Sequence, residues 1–343
     1  MPSLRVITPG LATTVQDAGR VGWQRFGIPV SGALDRVALA AANIVVGNAA
    51  DAAAFECFYQ GPTVEVQGAS ARIAVAGAGA ALELADANGE PVRRVAALQS
   101  VALGPGVRAK VAISGPSVSA YLAVEGGIAV PEVLGSRSTY ARARLGGYQG
   151  RALESGDVVP IGAPGATARD ELRLSGVEFA PARQLRIVLG PQDDHFTAAA
   201  IRALLQHAFE IAPTSDRMGL RLTGPRLDHA KGFDIASDGT VTGAIQVAGD
   251  GQPIILLADR QTTGGYPKIA TVISADLPAL GRSGPGALLT FRAVPVAEAE
   301  AARRDLDGMI ALWPQRLEAS RGGIDGQRLL DQNLISGVTS ADD

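Results

Sequence analysis

A chain of 343 residues has room for two domains or for one large β domain. Lys and Arg number 31 against 34 Asp and Glu, a net charge of −3, which argues against a nucleic-acid binder with its usual basic surplus. The single Cys57 cannot close an intramolecular disulfide and fits a reducing compartment. The N-terminus MPSLRVITPG lacks the basic and apolar regions of a secretory signal, and no apolar run approaches the ~18 residues of a membrane span. The expectation is a cytoplasmic protein with no nucleic-acid or membrane partner.

The 42 glycines and 20 prolines recur between short Val, Ile, Leu and Ala runs, a spacing that predicts many strands joined by tight turns. Residues 4–8 (LRVIT) alternate as an opening strand. Residues 9–29 are polar, punctuated by Gly and Pro, too irregular for a helix and poor in strand periodicity. From Ser31 to Val46, the residues Leu34, Val37, Ala38, Ala41, Ile44 and Val45 share one face at helical spacing, and Gly47 supplies the stop. Residues 50–55 read as a short helix or turn. Short strands follow at 63–67, 72–77, 81–84, 100–103, 109–114 and 120–126. A polar insertion at 134–157 carries Arg137, Arg142, Arg144 and Arg151.

Residues 163–183, rich in Gly, Pro and Ala, predict a linker between a first β-barrel half (1–162) and a second (184–317). The second half holds a strand at 185–190, a helix from Thr197 to Phe209, buried strands at 253–257 and 269–273, and a last strand at 288–294. A charged helix from Val296 to Leu312 is stopped by Pro314. Residues 318–343, polar and Gly-rich, predict a disordered tail. The fold class is therefore mainly β, in two barrel-like halves with a few short helices.

Several chemistries have no support in the motifs. There is no phosphate-binding G-x-x-x-x-G-K-[ST], no H-E-x-x-H, no C-x-x-C and no G-x-S-x-G. His195, His207 and His229 are scattered, so no metal site is expected. RIAVAGAGAALEL (72–84) mimics a dinucleotide fingerprint, but Leu82 takes the third glycine's place and a strand follows instead of a helix.

The residues that carry chemistry lie in polar, glycine-bearing segments. The most distinctive is ADRQTTGGYPK (258–268), set between two apolar strands and longer than a hairpin requires. It offers Asp259, Arg260, Gln261, Thr262, Thr263, Tyr266 and Lys268, beside glycines that let backbone N–H groups approach a ligand. The plain alternative is a solvated turn with an Asp–Arg pair. Three further segments combine cations with neutral donors: TTVQDAGR with Asp17 and Arg20, GSRST with Arg137 and Ser138, and SDRMGLR with Asp216, Arg217 and Arg221. Gln246 joins them from GAIQ. Arg offers a bidentate fork and Lys a point charge, which suits a carboxylate, a phosphate or a polarised carbonyl. Asp17, Asp216 and Asp259 are the candidate bases. A carboxylate held by Arg keeps a low pKa, which makes it a better positioner than base. Asp259 is expected to orient Arg260 and Lys268. For Asp216–Arg217 and Asp17–Arg20 a local salt bridge is the competing reading.

At these segments the chain resembles the carboxyltransferase A/B superfamily, also called allophanate hydrolase subunit 2. The resemblance rests on PGLATTVQDAGRVGWQRFGIPVSGALD, AANIVVGN, YLAVEGGIAVPEVLGSRST, SDRMGLRL, GAIQ and ADRQTTGGYPKIATVISADLP, in order, from about residue 4 to 294. It implies a cyclophilin-like β-barrel fold and work with a B-type partner subunit. Its 5-oxoprolinase branch, the nearest here, implies a third subunit and ATP-dependent opening of 5-oxoproline to glutamate, with this chain inactive alone. Its urea-carboxylase branch implies transfer of a carboxyl group from biotin, carried on another subunit because no Met-Lys-Met acceptor is present here. A further branch antagonises a kinase inhibitor. The sequence departs from the family pattern at Leu34, Ser119, Ala248 and Arg282, which bears on anion binding.

Overall fold

The computed structural model describes residues 2–115 and 117–320. In the first half, six strands form one sheet in the order Val158–Pro160, Ser3–Thr8, Thr63–Gln67, Arg108–Ile113, Ala80–Ala85 and Pro91–Ala96. Five form another: Ala12–Gln16, Ala54–Phe58, Ser119–Val124, Ala71–Ala76 and Ser100–Leu103. Alternation decides what each strand buries. In Thr63–Gln67, Val64 and Val66 point inward while the residues between them are half-buried. The inward side chains, among them Leu4, Phe55, Ile73, Leu82, Val111 and Leu122, make one core between the sheets.

The second half is a closed barrel of seven strands: Gln184–Leu189, Lys268–Val272, Ala244–Val247, Pro253–Leu256, Gly219–Thr223, Phe209–Ile211 and Leu288–Ala293. The parallel pairing of Gln184–Leu189 with Leu288–Ala293 closes it and leaves no open edge. Ile187, Phe209, Leu222, Ile245, Ile255, Ile269 and Phe291 fill its interior.

The α-helices among the described residues are α1 (Arg36–Val45), α2 (Ala198–Gln206), α3 (Leu277–Leu280) and α4 (Val296–Ala311). Helix α1 is apolar nearly all round because it is covered on both sides. Ala74, Ala76, Tyr121 and Ala123 of the five-stranded sheet lie against it, as do Trp313, Leu306 and Ile310. Asp35 caps it, accepting from the backbone N–H groups of Val37 and Ala38 at 3.0 Å each. Helix α3 abuts its start so closely that a Cβ on Gly281 would stand 2.9 Å from the Leu34 carbonyl carbon. No helix among the described residues is long and apolar enough to cross a membrane.

Several expected boundaries move. Ala12–Gln16, within the stretch expected to be irregular, is a strand paired along Ala54–Phe58. Residues 50–55 give a turn followed by that same strand. Helix α1 starts at Arg36 and not at Ser31, because Ser31 and Gly32 take positive φ values of 54° and 82°. The helix expected to reach Phe209 ends at Gln206, and Phe209 opens a barrel strand. The exposed edge strand Pro91–Ala96 goes unanticipated. Within the segment expected as a linker, Leu172–Leu174 pairs with Leu317–Ala319, so the start of the expected tail is a strand. The rest of that tail, 321–343, lies outside the described residues.

Candidate functional site

The two halves meet across a chain of buried ionic groups. Glu56, on the strand Ala54–Phe58, has no exposed side-chain surface. It accepts hydrogen bonds from the Arg217 guanidinium, the Tyr121 hydroxyl and, at 2.8 Å, the Leu34 backbone N–H. Arg217 also donates to Asp259 (Nε to Oδ2, 2.9 Å) and to the Gly32 carbonyl (2.7 Å). The Tyr121 hydroxyl accepts from the Asp35 N–H at 2.8 Å, and the Asp35 carboxylate is gripped by Arg282 at 2.5 and 3.1 Å. Arg282 thus serves an internal pair.

Burial pushes the Glu56 carboxyl above the usual range, against the pull of Arg217 and Tyr121. Burial alone lowers the Arg217 guanidinium, but Glu56 and Asp259 outweigh it and raise it. These opposed effects are those of charges removed from water and returned to one another. Two expectations change here. Asp259 orients Arg217, not Arg260 and Lys268. Arg217 in turn does not pair with its neighbour Asp216, whose Oδ1 accepts from the Met218 N–H at 2.8 Å.

The loop 258–268 lies against the barrel wall. Arg260, 2% exposed, donates to the Thr242 hydroxyl at 2.9 Å and the Thr240 carbonyl at 3.2 Å. Its Nε has no partner among the described residues, and burial lowers its pKa. Lys268, 3% exposed, meets Asp238 at 3.2 Å. The Asp238 carboxyl is held below its ordinary range, first by that hydrogen bond and then by the Gly239 N–H. Thr263 is exposed in a two-residue ribbon, Thr263–Gly264 with Asp238–Gly239, and the Thr262 carbonyl accepts from the Thr240 N–H at 3.0 Å. Both threonines serve the loop's own architecture.

Beside this loop is a cleft of about 230 Å³, lined by Arg221, Gln246, Gln261, Tyr266, Asp216 and Arg142 over Ile254 and Leu256. Gln261 donates to the Gln246 carboxamide oxygen at 3.1 Å. Arg142 reaches Asp216 from the other half at 3.4 Å, so the insertion 134–157 closes one side. A second cavity of about 230 Å³ lies at the seam, walled by Leu34, Phe58, Val118, Leu220, Leu257 and Leu280, with Arg217 at its polar end.

The remaining predicted residues form a separate cluster in the first half. Asp17 accepts from the Ser136 and Ser138 hydroxyls and the Arg137 N–H, at 2.6, 2.5 and 2.5 Å. Arg20 is fully buried, donates to the Ser138 carbonyl and leaves Nε and Nη1 without protein partners among the described residues. No local Asp17–Arg20 salt bridge forms. Burial lowers the Arg20 pKa, while Asp17 and Asp259 oppose that shift. Arg137 turns away to the Val130 carbonyl and Glu132, at 2.9 and 2.7 Å. The clusters approach where the Ser31 N–H donates to the Ala258 carbonyl at 3.0 Å. Glu56, Asp35, Tyr121 and Asp238 were missed in the sequence. The one legible signal was a lone Glu in the otherwise apolar run AFECF.

A two-sheet half and a closed barrel, joined by buried ion pairs and flanked by cationic loops, define a carboxyltransferase-type domain. The chain belongs to the carboxyltransferase family: it matches the carboxyltransferase domain, subdomain A and B, over residues 26–293. It is 37% identical over 303 residues to the C subunit of 5-oxoprolinase from Escherichia coli, covering 88% of this chain and 94% of that one. It is similar to the solved structure of TTHA0988, with a TM-score of 0.75 and 35% identity, over 85% of this chain and 56% of that one. It is also similar to Kluyveromyces lactis urea carboxylase, with a TM-score of 0.81 and 27% identity, over 94% of this chain and 31% of that one. The chain therefore spans about half and about a third of those two solved chains.

Proposed function

We propose that this chain belongs to an ATP-dependent 5-oxoprolinase, which opens 5-oxo-L-proline to L-glutamate through this chain, a B-type subunit and one further subunit. The observation that carries the reading is the 37% identity to the C subunit of Escherichia coli 5-oxoprolinase over 94% of that protein's length. The chemistry available agrees with it. A lactam is a weak electrophile, and ATP bound within the assembly supplies its activation toward water. What this chain contributes is binding and orientation. The Arg20 Nε and Nη1 and the Arg260 Nε, which have no protein partner among the described residues, suit an anionic oxygen, whether a carboxylate or a phosphoryl group. Arg217, fixed by Glu56 and Asp259, holds the loop 258–268 against the seam, so Lys268 and Arg260 are presented from a rigid base. The chain does not act alone in this reading.

The test is reconstitution: 5-oxoproline, ATP and the partner subunits, with and without this chain, following glutamate. Undiminished activity in its absence would sink the reading. A second reading is favoured by the likeness to urea carboxylase: carboxyl transfer to urea or a related amide, from biotin carried on another subunit. Biotin-dependent carboxylation of urea by the same assembly, without glutamate release, is the outcome that selects it.

A further inference from the structure

Four adjacent barrel strands set a row of side chains in register: Arg221 opposite Ile254, Ile254 opposite Gln246, and Gln246 opposite Lys268 across a bulge. Cross-strand partners project from the same face of a sheet. Here that face is the outer one, since Leu220, Leu222, Ile245 and Ile255 fill the interior. The cleft of about 230 Å³ runs along this row from Arg221 to Gln246 and stops short of Lys268. Its floor is apolar, at Ile254 and Leu256, and its rim is polar.

The rim groups differ in commitment. Gln246 is 3% exposed and already engaged by Gln261 and the Tyr266 carbonyl, at 3.1 and 3.4 Å. Gln261 gives Nε2 to Gln246, while its own carboxamide oxygen takes no protein donor among the described residues. Arg221 has hydrogen bonds only through its backbone, to Ser215 and Ala212, and no ion pair among the described residues. Arg142 is tied to Asp216 at 3.4 Å.

We propose, resting on the 5-oxoprolinase reading, that this outer-wall cleft is the substrate-recognition site and takes a small cyclic amide bearing a carboxylate. Arg221 forks onto the carboxylate. The Gln261 carboxamide, both donor and acceptor, matches the paired N–H and C=O of a lactam. The ring's methylene edge lies on Ile254 and Leu256. Two strand spacings, roughly 10 Å, separate the backbones of Arg221 and Gln246, which leaves room for one five-membered ring between the two side chains. Arg221 is thereby the specificity residue: it separates an amide acid from the same ring without its carboxylate.

The test is ligand-observed NMR on the full chain, alone and with its B-type partner, using 5-oxo-L-proline and 2-pyrrolidinone. The wild type is expected to bind 5-oxoproline in preference to pyrrolidinone. Arg221→Gln weakens 5-oxoproline at least tenfold and leaves pyrrolidinone unchanged, Gln261→Ala weakens both, and Arg226→Gln, on an exposed turn, changes neither. In the reconstituted complex Arg221→Gln raises KM for 5-oxoproline at least tenfold with kcat retained. Binding by neither wild-type preparation, or binding and KM untouched by Arg221→Gln, overturns the site. Absence of wild-type turnover counts against the 5-oxoprolinase reading alone, since the binding comparison decides the cleft independently.

Discussion

The Lys268 ammonium has one partner among the described residues, the exposed carboxylate of Asp238, although its own side chain is only 3% exposed. Removing its charge strands nothing in the interior, so Lys268→Met is expected to fold with unchanged thermal stability. Turnover in the complex is expected to fall by about 10²–10³, the loss of one charged contact in the transition state, roughly 3–4 kcal/mol. An active, normally folded Lys268→Met protein removes the residue from the site. Glu56 behaves oppositely. It is fully buried and holds Arg217 from across the seam. Glu56→Gln keeps an acceptor for the Leu34 N–H but breaks a buried ion pair, a change costing on the order of 3 kcal/mol, read by urea denaturation. A cost within about 0.5 kcal/mol, that of an ordinary surface change, would mean the network does not hold the halves together. Lys268 was legible because it ends a polar loop between apolar strands. Glu56 left only a faint trace, because a single carboxylate inside AFECF looks like a solvent-facing residue until both faces of its strand are known to be covered.

At the scale of elements, the close approach of α3 to the start of α1 is the sharpest constraint. A Cβ on Gly281 would lie 2.9 Å from the Leu34 carbonyl carbon and 3.0 Å from the Asp35 nitrogen, both backbone atoms. Gly281→Ala therefore forces the helices apart at the Asp35–Arg282 pair and is expected to cost about 1–3 kcal/mol. A melting temperature equal to the wild type's would contradict this contact. Elements with a clear apolar pattern, alternating in Thr63–Gln67 and continuous in Ser119–Val124, could be read directly. Ala12–Gln16 and Pro91–Ala96 were hidden for a common physical reason. Each is polar or charged along much of its length and sits at the edge of its sheet, where one side needs no partner strand.

For the whole molecule, the Gly- and Pro-rich stretch at 163–183 and the restart of strand patterns after it are what the sequence offers toward two halves, and the structure has two open sheets built from strands before that stretch and a closed barrel built from strands after it. The way the halves face each other could not be read from the sequence. It depends on Glu56, Tyr121, Asp35 and Arg282, which are far apart in the chain and pair only in three dimensions. The candidate loops were found segment by segment, but sequence alone placed Asp259 with its neighbours Arg260 and Lys268 instead of with Arg217. What this chain does is decided in the assembly. Glutamate release from 5-oxo-L-proline and ATP is measured in a complex rebuilt from the B-type and third subunits with the wild-type chain, with the Lys268→Met chain, and with neither. Release is expected only with the wild-type chain. Equal release in all three would contradict it.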